Sequence, residues 1–105
     1  MPRRDLVDAD VCEEIGAALR RIRENFKFTR CEVAEGTFVS ACSIRNIENG
    51  ICVTKALCHH LWLVYSDYFH DCMLDSNDRK LITNPADIER DLRFIETILY
   101  GNPED

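Results

Sequence analysis

Apolar residues recur at helical spacing along most of the chain. The first such stripe predicts one face of a helix and consists of Val11, Ile15, Ala18, Leu19, Ile22 and Phe26. Asp10 is placed as the N-cap of this helix, with Glu13 three residues later as its capping-box partner. Residues 1–10 are polar and have no clear period, so we expect a short polar N-terminal arm.

Two short helices joined by a tight turn are predicted next. Thr29 followed by Glu32 has the capping-box pattern that starts a helix, and Ser40 is placed to cap the following one. Asn49 and Gly50 are placed to end that second helix, because Gly readily adopts the left-handed conformation of a helix end. The inward-facing residues of this pair are Val33, Ala34, Ile44 and Ile47. Such a pair predicts a helix-turn-helix.

The rest of the chain predicts two longer helices. Thr54 caps a helix that runs to Tyr65 or Phe69, residues 70–84 are predicted as a loop, and Pro85 occupies the first turn of a last helix. That last helix has the apolar stripe Ile88, Leu92, Ile95, Ile98 and Leu99. No segment shows convincing strand alternation. We therefore predict an all-α fold, a compact bundle of four to five short helices plus a C-terminal amphipathic helix.

Length and composition indicate one ordinary globular domain. The chain has 105 residues, of which 46% are hydrophobic and 30% charged. No run approaches the roughly 18 apolar residues of a membrane span, and the N-terminus lacks the apolar core of a signal peptide. We therefore expect a cytoplasmic protein with no membrane contact. Its six cysteines are expected to be reduced thiols.

The net charge of -6 is unevenly distributed along the chain. Residues 1–14 carry two basic and five acidic groups, residues 15–60 carry seven and four, and residues 61–105 carry four and ten. The middle segment is therefore basic between acidic flanks. This distribution favours one face that is built to meet an anion.

Three sequence blocks carry a family resemblance: Ile15-Gly16-x-x-Leu19-Arg20-x-Ile22-Arg23, Thr29-x-x-Glu32-Val33-Ala34, and Ser40-x-x-Ser43-Ile44-x-x-Ile47-Glu48-Asn49-Gly50. Together they resemble the Cro and phage-repressor type of helix-turn-helix protein, also called the XRE family. The resemblance covers about half the chain and places a DNA-binding domain at residues 11–69. It implies a homodimeric transcriptional regulator, expected to be a repressor, that binds double-stranded DNA with the helix at 40–49 in the major groove.

The resemblance also assigns roles to individual residues. Those expected to read bases are Ala41, Cys42, Arg45 and Asn46, with Arg45 suited to guanine and Asn46 to adenine. Arg30 and Asn49 are expected to contact phosphate, and Ser40 and Ser43 are expected either to contact phosphate or simply to cap the helix. Arg23 and Glu48 are expected to form an interior ion pair between the first helix and the recognition helix. The chain departs from the family in the turn, where Phe38 stands in place of the frequent Gly and could pack as a hydrophobic plug.

Two questions stay open at the level of the sequence. The apolar stripe of the C-terminal helix and tail, residues 85–105, suits either closure of the core or a dimer interface made by Ile88, Leu92, Ile95 and Leu99. The fold also suits a protein-interaction module, such as an antitoxin or a subunit that docks a partner.

Metal and enzyme functions are not expected. A cluster of possible ligands lacks the spacing of a zinc site and comprises Cys58, His59, His60, His70 and Cys72. The chain has no Gly-rich phosphate loop and no nucleophile motif. We therefore predict no metal, no cofactor and no catalytic step.

Overall fold

A computed structural model of the chain describes residues 9–51, 53–75, 77 and 82–101. Within this part the fold is all-α, as predicted, with five helices and no strand. The helices are α1 (Ala9–Asn25), α2 (Arg30–Thr37), α3 (Ala41–Glu48), α4 (Lys55–Leu74) and α5 (Pro85–Tyr100). The first eight residues of the predicted N-terminal arm lie outside the described residues. No described helix is both long enough and apolar enough to cross a bilayer.

Side-chain caps start four of the helices. Thr29 accepts the backbone N–H of Glu32 at 3.1 Å, and the Glu32 carboxylate accepts the backbone N–H of Thr29 at 2.8 Å. This reciprocal capping box satisfies two donors that the start of α2 would otherwise leave unpaired. Ser40, Thr54 and Asn84 likewise accept the backbone N–H three residues on and begin α3, α4 and α5. These helix starts agree with the sequence analysis.

Two helix boundaries differ from the prediction. α1 begins before Asp10, which therefore lies in the first turn and is not the N-cap. α4 continues to Leu74, well into the segment 70–84 that was predicted as a loop. The longer helix carries the core further, because Cys72 lies about two turns after Tyr65 and both are buried.

A single core joins the helices around α1. This helix packs against α3, α4 and α5, while α5 also packs against α4 and α2 packs against α3. Aromatic rings from the α1–α2 connection and from α4 meet at one corner of the core. The ring centroids of Phe26 and Tyr68 lie 4.8 Å apart there. The fully buried aliphatic side chains of the core include Ile15, Leu19, Ile22, Ile44, Ile47, Ile88 and Ile95.

The apolar stripe of α5 belongs to this core. Ile88 and Ile95 are fully buried, Leu92 is nearly so, and Leu99 is partly buried against the same cluster. Trp62 on α4 adds a hydrogen bond from its indole N–H to the Leu92 carbonyl at 2.9 Å. A side chain enclosed by its own chain cannot also cover a second copy. The dimer-interface interpretation is therefore wrong for Ile88, Leu92 and Ile95, and the stripe closes the core.

An ion pair that sequence analysis missed joins α5 to α1. Arg21 donates to both carboxylate oxygens of Asp91, from Nε at 3.1 Å and from Nη2 at 3.0 Å. The Asp91 side chain is only 3% exposed, so its charge needs such a partner. The hydrogen bond to Asp91 raises the pKa of Arg21 above its ordinary value. This pair links α5 to α1 at the edge of the core.

The backbones of α1 and α3 approach closely at Gly16. A Cβ atom built on Gly16 would lie 2.3 Å from the carbonyl oxygen of Ile47 and 2.6 Å from that of Glu48. Both neighbours are helix backbone and cannot move aside independently. Only glycine therefore fits where α1 crosses the end of α3.

We expect Gly16→Ala to lower the free energy of unfolding by about 1–3 kcal/mol, because the added methyl forces the two helices apart. Gly36→Ala is the matched control, since Gly36 lies in α2 with no neighbouring atom within 4 Å of an added Cβ. That change should stabilise the protein by about 0.5–1 kcal/mol. Urea unfolding followed by circular dichroism measures both. Equal midpoints for Gly16→Ala and the wild type would contradict the close crossing.

Candidate nucleic-acid interface

α3 turns one face to the core and the other to solvent. Ile44 and Ile47 are fully buried on the inner side. Cys42, Arg45 and Asn49 are exposed and are spaced three and four residues apart, so they form one stripe along the outer side. The helix that the sequence predicts to read bases thus presents side chains to solvent.

The other predicted contact residues of α3 surround this stripe. Ala41, Ser43 and Asn46 are partly exposed, and Ser40 is exposed at the N-cap. The Ser40 hydroxyl accepts the backbone N–H of Ser43 at 3.0 Å and bonds the Ser43 hydroxyl at 2.9 Å. Both serines therefore organise the start of α3 while remaining at its surface.

The turn between α2 and α3 is held by Thr37 and by the backbone. The Thr37 hydroxyl donates to the Val33 carbonyl at 2.7 Å and accepts the Val39 N–H at 3.3 Å, while the Phe38 N–H donates to the Ala34 carbonyl at 3.0 Å. Phe38 adopts φ 60° and ψ 24°, the left-handed conformation that favours glycine. Its side chain is 96% exposed. The expectation that Phe38 packs as a plug is wrong, and Val39 packs against the core instead.

Two arginines hold a buried carboxylate at the end of α3. Arg23 donates to Glu48 from Nε at 2.6 Å and from Nη2 at 3.1 Å, and Arg30 donates from Nε at 3.0 Å. The Glu48 side chain is 1% exposed. Arg23 also donates to the Phe28 carbonyl at 2.8 Å, and its hydrogen bonds to Glu48 raise the pKa of Arg23. α1, α2 and α3 therefore meet at one carboxylate.

This network changes the part that sequence analysis gave to Arg30. The residue was expected to contact phosphate, yet its Nε is bonded to Glu48 within the fold. The Arg30 side chain remains 32% exposed, so part of it reaches the surface beside α3. Arg30 thus lies at the boundary between the buried network and solvent.

Internal ion pairs account for most of the basic middle of the chain. Four arginines of residues 15–60 bond carboxylates of the protein itself, namely Arg20, Arg21, Arg23 and Arg30. The cations of this segment that have no ion pair to any described residue are Lys27, Arg45 and Lys55. The charge excess seen in the sequence is therefore not a continuous basic patch.

The His and Cys cluster of the sequence does not converge on a metal site. The Cys58 thiol is buried, which raises its pKa to about 12, so it stays protonated. His59 Nδ1 lies 2.6 Å from the Tyr100 hydroxyl, and His60, which is exposed, has Nε2 2.9 Å from the Thr37 carbonyl. Among the described residues no three His, Cys, Asp or Glu side chains are grouped to hold a metal ion.

No protein-family model, curated protein or solved structure matches the chain. The fold and the site define an all-α protein that presents one short helix, α3, at its surface. The orientation of that helix is set by the buried network at Glu48 and by the close crossing at Gly16.

We expect the Arg23 and Glu48 substitutions to be strongly coupled. Arg23→Met or Glu48→Leu alone should each lower the free energy of unfolding by about 3–5 kcal/mol, because each leaves a buried charge short of its partner. The double variant should lose clearly less than the sum, since two apolar side chains need no partners and Arg30, which is 32% exposed, can turn to water.

Urea unfolding of the four proteins gives the coupling free energy. Arg20→Met is the control, because the pair of Arg20 with Glu24 is half exposed and should contribute at most about 0.5 kcal/mol. Additive losses in the double variant would show that Arg23 and Glu48 do not act as a unit.

Proposed function

We propose that the protein is a cytoplasmic transcriptional regulator that binds double-stranded DNA sequence-specifically, with α3 in the major groove. The observation that supports this most directly is the outward stripe of Cys42, Arg45 and Asn49 on a helix whose inner face is locked in the core. Arg45 donates from Nη2 to the Cys42 sulfur at 3.7 Å, and both side chains remain exposed. A rigid helix with exposed polar side chains on one face suits the reading of base edges.

The chemistry of the stripe suggests how specificity arises. The Arg45 guanidinium is exposed, and its fork of donors matches O6 and N7 of guanine. Asn46 offers the donor and acceptor pair that matches adenine. Ala41 and Cys42 have small side chains, so α3 can come close to the floor of the groove. Their contribution to specificity would be an apolar contact with a thymine methyl. Specificity then depends on few residues.

Phosphate contacts would fix the orientation of the protein on the duplex. Arg30, Ser40, Ser43 and Asn49 lie at the ends of α2 and α3, where they can meet the DNA backbone on either side of the groove. Because most of the described arginines form ion pairs within the protein, few positive charges remain to displace counterions from the DNA phosphates. We expect a shallow dependence of affinity on salt, with a slope of about -3 to -4 per protomer.

A homodimer is part of this proposal. A helix as short as α3 spans only a few base pairs, so two copies on a palindromic site would supply the missing affinity and specificity. Their half-sites would lie about 34–36 Å apart. Contact between the copies would be made outside the buried stripe of α5. Binding at a promoter would repress transcription by excluding the polymerase.

Selection from a random duplex pool tests the function. The full-length protein is expected to enrich a palindromic sequence and to bind it more tightly than random DNA in a fluorescence-anisotropy titration. Repeating the titration at several salt concentrations gives the slope. No binding at low salt by the folded protein would overturn the proposal and favour the protein-interaction module.

We expect Arg45→Ala to relax the base preference at one position of the selected sequence and to cost about 1–3 kcal/mol of binding free energy. Arg93→Ala is the control, because Arg93 lies on α5 and bonds Glu89 at 2.8 Å. It should leave affinity unchanged. An equal loss on every sequence would mean that Arg45 contacts phosphate and does not read a base.

A further inference from the structure

Phe38 is unfavourable for the fold in two independent ways. Its left-handed backbone, with φ 60°, costs free energy for any bulky residue and none for glycine. Its ring is 96% exposed and so gains almost nothing from burial. Residues with an unfavourable local conformation and no compensating contact inside the fold are concentrated at functional sites.

The turn does not need the Phe38 side chain. Its hydrogen bonds come from the Thr37 hydroxyl and from the backbone N–H of Phe38, which any residue other than proline supplies. Apolar packing of the turn comes from Val39, which lies against the core. The ring is therefore free to serve a contact outside the protein.

The position of Phe38 places this contact next to α3. Its Cα is two peptide units before Ser40, so it lies within about 7.6 Å of the N-cap of α3. The first two residues of the helix, Ala41 and Cys42, have short side chains that let DNA come near. With the N-terminal part of α3 in the major groove, the exposed ring of Phe38 would lie beside that groove.

We infer that Phe38 is a specificity-determining residue whose ring contacts a thymine methyl at the edge of the half-site read by α3. The inference rests on the proposed function. The thymine methyl is the apolar group of the major groove, and phenylalanine is among the side chains that contact it. Binding would then bury the ring that the fold leaves in water.

Two substitutions separate the role in the fold from the role in binding. Phe38→Gly should leave the midpoint of thermal unfolding unchanged or raise it, because it removes the disfavoured backbone conformation. It should weaken binding to the selected duplex about tenfold. Phe38→Tyr keeps the ring and should bind within about twofold of the wild type. Equal affinity for the wild type and Phe38→Gly would overturn the inference.

A chemical change in the DNA locates the contact. Each thymine of the selected duplex is replaced in turn by deoxyuridine, which removes only the methyl group. One replacement at the edge of the half-site should weaken the wild type about fivefold to tenfold and leave Phe38→Gly unaffected. A wild type that responds to no replacement, or a Phe38→Gly variant that responds equally, would overturn the inference.

A failure of the proposed function can be told apart from a failure of this inference. A folded wild type that enriches no duplex overturns the proposed function, and this inference with it. A wild type that binds its selected duplex while Phe38→Gly binds equally well overturns the inference alone and leaves the proposed function standing.

Discussion

The arrangement of α1, α2 and α3 depends on a buried carboxylate. A charge removed from water must be matched by partners of opposite charge, and Glu48 has two guanidinium groups within hydrogen-bond distance. Arg23 comes from the last turns of α1 and Arg30 from the first turn of α2, so neither helix can rotate without leaving the carboxylate short of a partner. Such a pair adds little net stability, but it specifies one geometry. Gly16 allows that geometry by letting α1 touch the backbone of α3.

Features decided by near neighbours in the sequence could be predicted from pattern, whereas the distant pair of Arg23 and Glu48 was expected only through the family resemblance. The capping box at Thr29 depends on four residues, and the core stripes depend on helical period alone. The pair of Arg21 and Asp91 joins positions 70 apart, and no spacing rule connects them. A stripe also predicts that Leu92 is buried without saying what buries it. The core of the same chain, and not a second copy, turned out to cover it.

The candidate site could be predicted only in part, for the same reason. The outward face of α3 follows from the inward face, because Ile44 and Ile47 fix the rotation of the helix. Arg30 takes part in the buried network because of where α2 and α3 cross. Residue type and spacing do not determine that crossing. Charge summed along the chain was a poor guide to the surface. Most of the arginines in the middle segment are bonded internally, and Arg45 is the exposed one on α3.

Departures from local rules occur both inside the helix pair of residues 30–48 and outside it. Outside the pair, Lys27 has φ 63° and Asp91 is a buried charge that Arg21 partners. Within the pair, Glu48 is a buried charge and Phe38 is a left-handed, solvent-exposed aromatic. Both cost stability in the isolated fold. Glu48 is compensated inside the chain, because its ion pairs set the angle of α3, whereas the Phe38 side chain is almost fully exposed. Phe38 is therefore the departure that the proposed contact with DNA would explain.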